Sequence, residues 1–204
     1  MAQIRGVNPW RSMWDEPRKT VRAIVLAKPT FGVFLLATLY ALVNLFFLAG
    51  LWSLGLKVPF FSILIGAVLL APLLGWAWIY IAGWVFYFTG RLLKGRAPRS
   101  HLRAAIAWSK IPAVLSLFIW VIFLVAQPEY VFIQDAGGVS SLFVDFISLS
   151  LGVWSLILLI QALREVQKFS LGRALVNILF AWAFSGILYL LVYVFFRYIY
   201  LTVL

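Results

Sequence analysis

The sequence predicts an all-α polytopic membrane protein with five transmembrane helices and an N-terminal interfacial amphipathic helix, and two observations indicate it. Of the 204 residues, 65% are hydrophobic and only 11% are charged, and the mean hydropathy is +1.04. Soluble domains carry about 25% charged residues, so this chain has too few charges to cover a surface in water. The second observation is a series of five apolar stretches, most of them as long as the ~20 residues that cross a bilayer. A soluble enzyme and a disordered tail are therefore excluded.

The five predicted spans differ in length. They cover approximately residues 31–54, 60–89, 112–126, 142–163 and 175–196. The second is too long to cross ~30 Å of hydrocarbon as a straight helix, and Pro72 near its middle predicts a kink or a strong tilt. The third is short, and we expect it to include residues 104–108 as an entry segment, with Pro112 bending the helix. The alternative for this stretch is a helix that lies in the membrane interface.

Basic residues are concentrated on one side of the predicted spans. Fifteen of the 17 lie before span one, between spans two and three, or between spans four and five; Lys57 and Arg197 are the others. Because basic loops stay in the cytoplasm, we expect a cytoplasmic N-terminus and an extracytoplasmic C-terminus. The chain then divides into a cytoplasmic N-terminal segment, residues 1–30, and a transmembrane domain, residues 31–204. The formal charge of +11 indicates anionic lipid headgroups as partners rather than nucleic acid.

The N-terminal segment is predicted to contain an amphipathic helix that begins at Pro17. Proline is favoured at the first helical position, and Glu16 or Asp15 is expected to cap the helix. Aliphatic residues at positions 21, 24 and 25 share one face, and arginines at positions 18 and 22 share another. This pattern is typical of a helix that lies on a membrane surface, and the alternative is a topological anchor with no binding role. The residues predicted to bind lipid or a partner are Trp10, Trp14, Arg18, Lys19, Arg22, Arg96, Arg99 and Arg103.

No pattern in the sequence predicts catalysis or a bound cofactor. The chain has no cysteine, and its one histidine, His101, has no companion ligand for a metal ion. The sequence contains no phosphate-binding loop, no dinucleotide fingerprint and no zinc-protease motif. We therefore expect a protein that is not an enzyme and that needs no cofactor or metal.

Four polar residues lie within the predicted spans. We expect the amides of Asn44, Gln161 and Asn177 to form hydrogen bonds between helices, because an unpaired amide in hydrocarbon is costly. Asp145 lies near the extracytoplasmic end of span four and has two interpretations. It is either a proton or cation site inside the membrane or an acid that reaches water at the helix N-terminus.

Two segments resemble a known family of membrane proteins. The first is Asn-Pro-Trp at 8–10, followed by Trp14, Pro17-Arg18 and Lys28-Pro29; the second is Arg-Ala-Ala-Ile-Ala-Trp-Ser at 103–109, followed by Ile111-Pro112. Both are similar to segments of the Yip-domain proteins, the Ypt/Rab-interacting integral membrane proteins, in their bacterial branch. The resemblance implies a non-enzymatic protein of membrane organisation or trafficking, and the bacterial branch implies the inner membrane.

Three functional hypotheses follow from these observations. The first is a membrane-organising protein whose basic cytoplasmic face binds anionic lipid or a membrane-protein partner. The second is a transporter of a small solute or lipid that uses a groove beside the kinked second span together with Asp145. The third is an obligate subunit of a larger complex or homo-oligomer.

Overall fold

The computed structural model describes residues 8–134 and 139–203, and within those residues it contains helices and no strand. The helices are α1 (Pro9–Asp15), α2 (Pro17–Ala27), α3 (Val33–Leu51), α4 (Phe60–Leu92), α5 (Arg99–Ser109), α6 (Ile111–Ala126), α7 (Val139–Gln167) and α8 (Leu171–Val203), with a short 3₁₀ turn at Leu54–Leu56. Five segments are long and apolar enough to cross a membrane: α3, α4, α5 with α6, α7, and α8. The predicted all-α membrane fold with five spans is therefore confirmed.

The third span consists of two helices that meet at Lys110. Helix α5 ends at Ser109 and α6 begins at Ile111, so Pro112 occupies the second position of α6. Proline has no amide hydrogen to donate, and a break just before it leaves the next amide without a helical acceptor. The hydroxyl of Ser155 accepts that hydrogen bond from the amide of Ala113 at 3.0 Å. The entry segment predicted at residues 104–108 is confirmed, and it begins earlier, at Arg99.

The second span is one helix of 33 residues. At 1.5 Å per residue α4 is about 50 Å long, well beyond the ~30 Å hydrocarbon core. Pro72 lies inside it, and the helix continues on both sides of that proline. Pro72 therefore does not end the helix, and the bend predicted there stays a prediction.

Helix α5 lies at the centre of one end of the bundle. Leu102, Ile106 and Trp108 are at most 1% exposed, because α2, α3, α4 and α7 surround the helix. The indole Nε1 of Trp108 donates a hydrogen bond to the carbonyl of Phe31 at 2.9 Å. Gly32 follows with a φ of +69°, and a Cβ on it would lie 2.9 Å from the Trp108 ring. Glycine at this position therefore lets α3 begin directly against α5.

Helix α2 packs against this same core through its predicted apolar face. Val21, Ile24 and Val25 are buried with residues of α5 and α7, and α2 contacts both of those helices. The amphipathic pattern thus identified the correct face. That face is covered by protein, not by the acyl chains for which we expected it.

The two ends of the bundle differ in charge. We call the end formed by α1, α2, the 93–98 loop, α5 and the 168–170 connection the basic end. Hydrogen bonds between α7 and α2, and between α7 and the 93–98 loop, hold the basic end together. At the opposite end, the amide of Gly55 donates to the carbonyl of Phe132 at 2.9 Å, and Phe46 and Trp120 form a second apolar core nearby.

Gly75 marks the closest approach of α3 to α4 and gives a first prediction. A Cβ on Gly75 would lie 2.5 Å from the backbone carbonyl oxygen of Ala37, whereas one on Gly66 of the same helix would meet nothing within 4 Å. We expect Gly75→Ala to force the two backbones apart and to lower the free energy of unfolding by about 1–3 kcal/mol. Equilibrium unfolding in mixed detergent micelles measures this change in the free energy of unfolding.

Gly66→Ala is the matched control for that variant. Alanine favours a helix over glycine by about 1 kcal/mol, so we expect Gly66→Ala to leave stability unchanged or to raise it slightly. Equal losses of stability in the two variants would contradict the close packing of α3 on α4.

Candidate functional site: the basic end of the bundle

A buried carboxylate organises the basic end. Glu165, close to the end of α7, has a side chain that is 3% exposed. Arg22 Nε donates to its Oε1 at 2.7 Å, Arg18 Nη2 donates to its Oε2 at 3.4 Å, and Lys168 Nζ donates to its Oε1 at 2.6 Å. An unpaired buried carboxylate would be strongly destabilising, so these three cations make its burial possible. The hydrogen bond to Glu165 also raises the pKa of Arg22 above its ordinary value.

Arg18 and Arg22, two of the residues predicted to bind lipid, form ion pairs within the protein. Arg18 and Arg22 attach α2 to α7, although their side chains are still 49% and 58% exposed. Lys19 pairs with Glu16 at 2.6 Å, and both partners are largely exposed, so this pair contributes little to stability. Glu16 precedes α2 as predicted, but its side chain does not cap the helix.

Sequence reasoning missed Glu165. One available signal was its position: it is an acid at the end of an apolar span, directly after Arg164 and three residues before Lys168. An acid at such a site needs a cation, and α2 supplies two.

The two predicted N-terminal tryptophans contact other tryptophans of the bundle. The rings of Trp10 and Trp108 are 5.0 Å apart, and those of Trp14 and Trp154 are 6.5 Å apart. Trp14 Nε1 also donates to the carbonyl of Trp10 at 3.0 Å. Helix α1, which we did not predict, is therefore held on α5 and α7 by aromatic packing, while Trp10 stays 40% exposed.

Two arginines of α5 lie over tyrosine rings of α4. Arg103 is 4.2 Å from the centre of the Tyr80 ring, and Arg99 is 4.9 Å from that of Tyr87. Such cation–π contacts hold the guanidinium in place and leave it charged. Arg96 is exposed and, within the described part of the chain, has no acidic or aromatic partner.

Two grooves open at the basic end. One, of about 290 Å³, lies beside α4 and is lined by Trp76, Tyr80 and Arg103 together with the start of α3. The other, of about 690 Å³, lies between the N-terminal helices and α7 and includes Trp14, Glu165 and both arginines of α2. A groove beside the second span was predicted, but Asp145 is not part of it. Asp145 is exposed on α7 and lines a different groove.

The predicted interhelical bonds of Asn44 and Gln161 were wrong. Asn44 Nδ2 donates to the carbonyl of Tyr40 at 2.7 Å, and Gln161 Oε1 accepts from Arg164 Nη1 at 3.1 Å, so both bonds lie within one helix. A side chain four residues along a helix reaches the preceding turn more easily than it reaches a neighbouring helix. Asn177 is fully buried, but neither atom of its amide has a hydrogen-bond partner.

Gln167 makes the interhelical contacts that we had assigned to other amides. Its Oε1 accepts from the amide of Ala97 at 3.2 Å, and its Nε2 donates to the carbonyl of Phe86 at 3.4 Å. A Cβ on Gly90 or on Gly95 would collide with the end of the Gln167 side chain, so a larger residue at either position would displace Gln167 from these hydrogen bonds. Gln167 thus joins the end of α7 to the end of α4.

Removal of the Glu165 charge tests the attachment of α2. Glu165→Gln replaces the carboxylate that Arg18, Arg22 and Lys168 share with a neutral amide, which keeps one acceptor oxygen but carries no charge. Hydrogen bonds to charged groups contribute about 1.5–3 kcal/mol each, and exposure of the three cations places the net loss at the lower end of that range. We therefore expect amide hydrogen exchange in residues 18–27 to become about tenfold faster.

Glu16→Gln is the control, because Glu16 pairs only with an exposed lysine at the start of the same helix. We expect this variant to leave exchange in α2 nearly unchanged. If both variants accelerated exchange equally, the Glu165 contacts would not be what holds α2 on the bundle.

The comparisons with known proteins agree with this architecture. The profile of the Yip1 domain matches residues 10–194, a region that runs from α1 into α8 and contains all of the basic end except Pro9. No curated protein and no solved structure matches the chain. Because the profile covers far more than half of the sequence, the chain belongs to the Yip1 domain family.

Proposed function

We propose that this Yip1 family protein organises membranes without catalysing a reaction, and that its basic end binds anionic lipid headgroups at the cytoplasmic surface. The main support for this proposal is the uneven distribution of charge along the chain. The three segments predicted to be cytoplasmic, which precede span one and connect spans two to three and four to five, contain 15 basic and three acidic residues, whereas the rest of the chain contains two basic and three acidic residues. Each cation near an anionic membrane surface contributes about 1 kcal/mol of attraction.

Some of these basic residues already form ion pairs and are less available to bind lipid. Arg18, Arg22 and Lys168 share Glu165, so their main contacts are within the protein. Among the described residues before α3, between α4 and α6 and from the end of α7 into the first turn of α8, the exposed cations with neither an ion pair nor an aromatic ring partner are Arg11, Lys28, Lys94, Arg96 and Arg173. These five residues are the main headgroup ligands in the proposal, and the Glu165 cluster adds its remaining positive charge.

The proposed orientation follows from the same charges. Basic segments are retained in the cytoplasm, so the basic end lies there and the C-terminus lies on the extracytoplasmic side. The proposed location is the inner membrane of a bacterial cell, which the resemblance to bacterial Yip-domain proteins implies. A membrane-protein partner that carries acidic residues would dock on the same surface.

Transport is the second candidate function, and the groove beside α4 favours it. That groove is about 290 Å³ and combines Trp76 and Tyr80 with the cation of Arg103. Liposomes that contain the purified protein would show movement of solute or labelled lipid if this candidate were correct, and no movement if it were not.

The membrane-organising proposal is tested by neutralising exposed cations that have no structural partner. We expect the triple variant Lys94→Gln, Arg96→Gln, Arg173→Gln to fold normally and to retain less anionic lipid. A contribution of about 1 kcal/mol per cation corresponds to about fivefold weaker retention for each charge removed. Native mass spectrometry of the protein extracted from membranes of mixed anionic and zwitterionic lipid measures retention at increasing salt, which should weaken it further.

Lys57→Gln, at the opposite end, is the control and should leave anionic lipid retention unchanged. The proposal fails if the triple variant and Lys57→Gln retain anionic lipid equally. It also fails if retention by the unmodified protein does not respond to salt.

A further inference from the structure

A groove runs along α6 between α3 and α7. Two cavities of about 650 Å³ and 220 Å³ adjoin each other, because both are lined by Phe47, Trp120, Ser148 and Gly152. Helix α6 packs against both α3 and α7, and Ser116, Trp120 and Phe123 on its groove side are buried. We call this continuous feature the α6 groove.

The α6 groove extends well into the membrane-spanning region. Lys110 lies at the end nearer the basic end, and Asp145 lines the other end. From Lys110 to Phe123 the groove follows 13 residues of α6, about 20 Å at 1.5 Å per residue. That length is more than half of the ~30 Å hydrocarbon core.

The wall of the α6 groove is polar at depths where lipid-facing surfaces are normally apolar. Asn44, in the middle of α3, and Ser148, on α7, line it together with the buried hydroxyls of Ser116 and Ser155. Polar groups at membrane depth are costly unless they meet other polar groups. Ser116, Ser155 and the Asn44 amide nitrogen already form hydrogen bonds within the protein. Among the described residues, Asn44 Oδ1 and the Ser148 hydroxyl have no such partner, and these two groups favour a polar group of the occupant in this part of the groove.

The edges of the α6 groove have the opposite character. Phe47 and Leu51 of α3 and Phe146 and Leu149 of α7 are 46–68% exposed. They face outward on either side of the polar wall, where the acyl chains of the bilayer lie. A polar interior between apolar edges matches a molecule that is itself amphipathic.

Lys110 supplies a cation to the end of the groove that is nearer the basic end. Its Nζ lies 5.0 Å from the centre of the Tyr40 ring. Within the described residues it has no acidic partner, unlike Arg18, Arg22, Lys19 and Lys168. A partly buried ammonium group that lacks a carboxylate is complementary to a phosphate.

We propose that the α6 groove binds one phospholipid, with its phosphate at Lys110, its headgroup against Asn44 and Ser148, and its acyl chains along the apolar edges. Asp145 at the far end repels a phosphate, so the headgroup is directed toward Lys110. This inference goes beyond the proposed binding of anionic lipid at the membrane surface, because it requires a phosphate within the bundle rather than net negative charge.

A phospholipid with a photoactivatable diazirine in its headgroup tests the proposal in nanodiscs of zwitterionic lipid. We expect adducts on the groove-facing peptides of α3 and α7, around Asn44 and Ser148, where a headgroup at the membrane surface cannot reach. In Lys110→Gln, adduct formation should fall about fivefold, since one close cation contributes about that factor. Lys110→Arg should restore it, and Lys57→Gln should not change it.

A phosphate-free probe separates phosphate recognition from general lipid contact. A galactosyl diacylglycerol with the same photoactivatable group should label the groove less than the phospholipid does, and equally in the unmodified protein and in Lys110→Gln. Equal labelling by the two probes, or phospholipid adducts that do not depend on Lys110, would overturn the proposal. Labelling that instead joined two copies of the chain through the groove would identify a second copy as the occupant and would also overturn it.

Single cysteines test whether the groove is polar, and the absence of native cysteine removes any background. Ser148 lines the groove, whereas Ser150, two residues along α7, is exposed away from it. In liposomes, a charged thiol reagent should modify Ser148→Cys at least about tenfold faster than Ser150→Cys, because thiolates form in water and not in hydrocarbon. Equal rates would contradict a polar groove.

The two lipid proposals fail separately. The triple variant at Lys94, Arg96 and Arg173 should reduce retention of anionic lipid and leave groove adducts unchanged. Lys110→Gln should do the reverse.

Discussion

Pro112 has no amide hydrogen, and the third span breaks two residues before it, at Lys110. In a membrane every backbone polar group must find a partner inside the protein. The break leaves the amide of Ala113 without a helical acceptor, and the hydroxyl of Ser155 accepts its hydrogen bond. On one side of the break α5 is enclosed by four helices, and on the other α6 forms the base of a groove. Lys110 adjoins both features, so the basic end and the α6 groove depend on the same break.

Charge is distributed between structural and available cations at the basic end. Glu165 binds three basic side chains and so attaches α2 to α7. Its burial depends on those cations, since an isolated buried carboxylate would be neutralised or would destabilise the fold. Cations of the 93–98 loop and of the start of α8 have no such partner. The proposed lipid surface therefore consists of basic residues that form no ion pair within the described part of the protein.

The predictions succeeded where a local pattern was sufficient and failed where a partner had to be identified. The periodicity of Val21, Ile24 and Val25 identified the buried face of α2, but it did not show that α5 and α7 cover that face. Amphipathicity reports which face is apolar and does not distinguish protein from lipid as its cover. In the same way, an amide in a span indicates a hydrogen bond, yet Asn44 uses its own helix and Gln167 bridges to α4.

By itself the sequence determined five spans, an entry segment before Pro112, the concentration of basic residues on one side and the Yip1 family, because hydrophobicity, charge and motif are properties of neighbouring residues. Only the tertiary structure decided that Arg22 meets Glu165, 143 positions away, and that Trp10 meets Trp108. It also decided that Asn44, Ser116 and Ser148 line one groove. These residues belong to three different helices, and only packing in three dimensions brings their faces together.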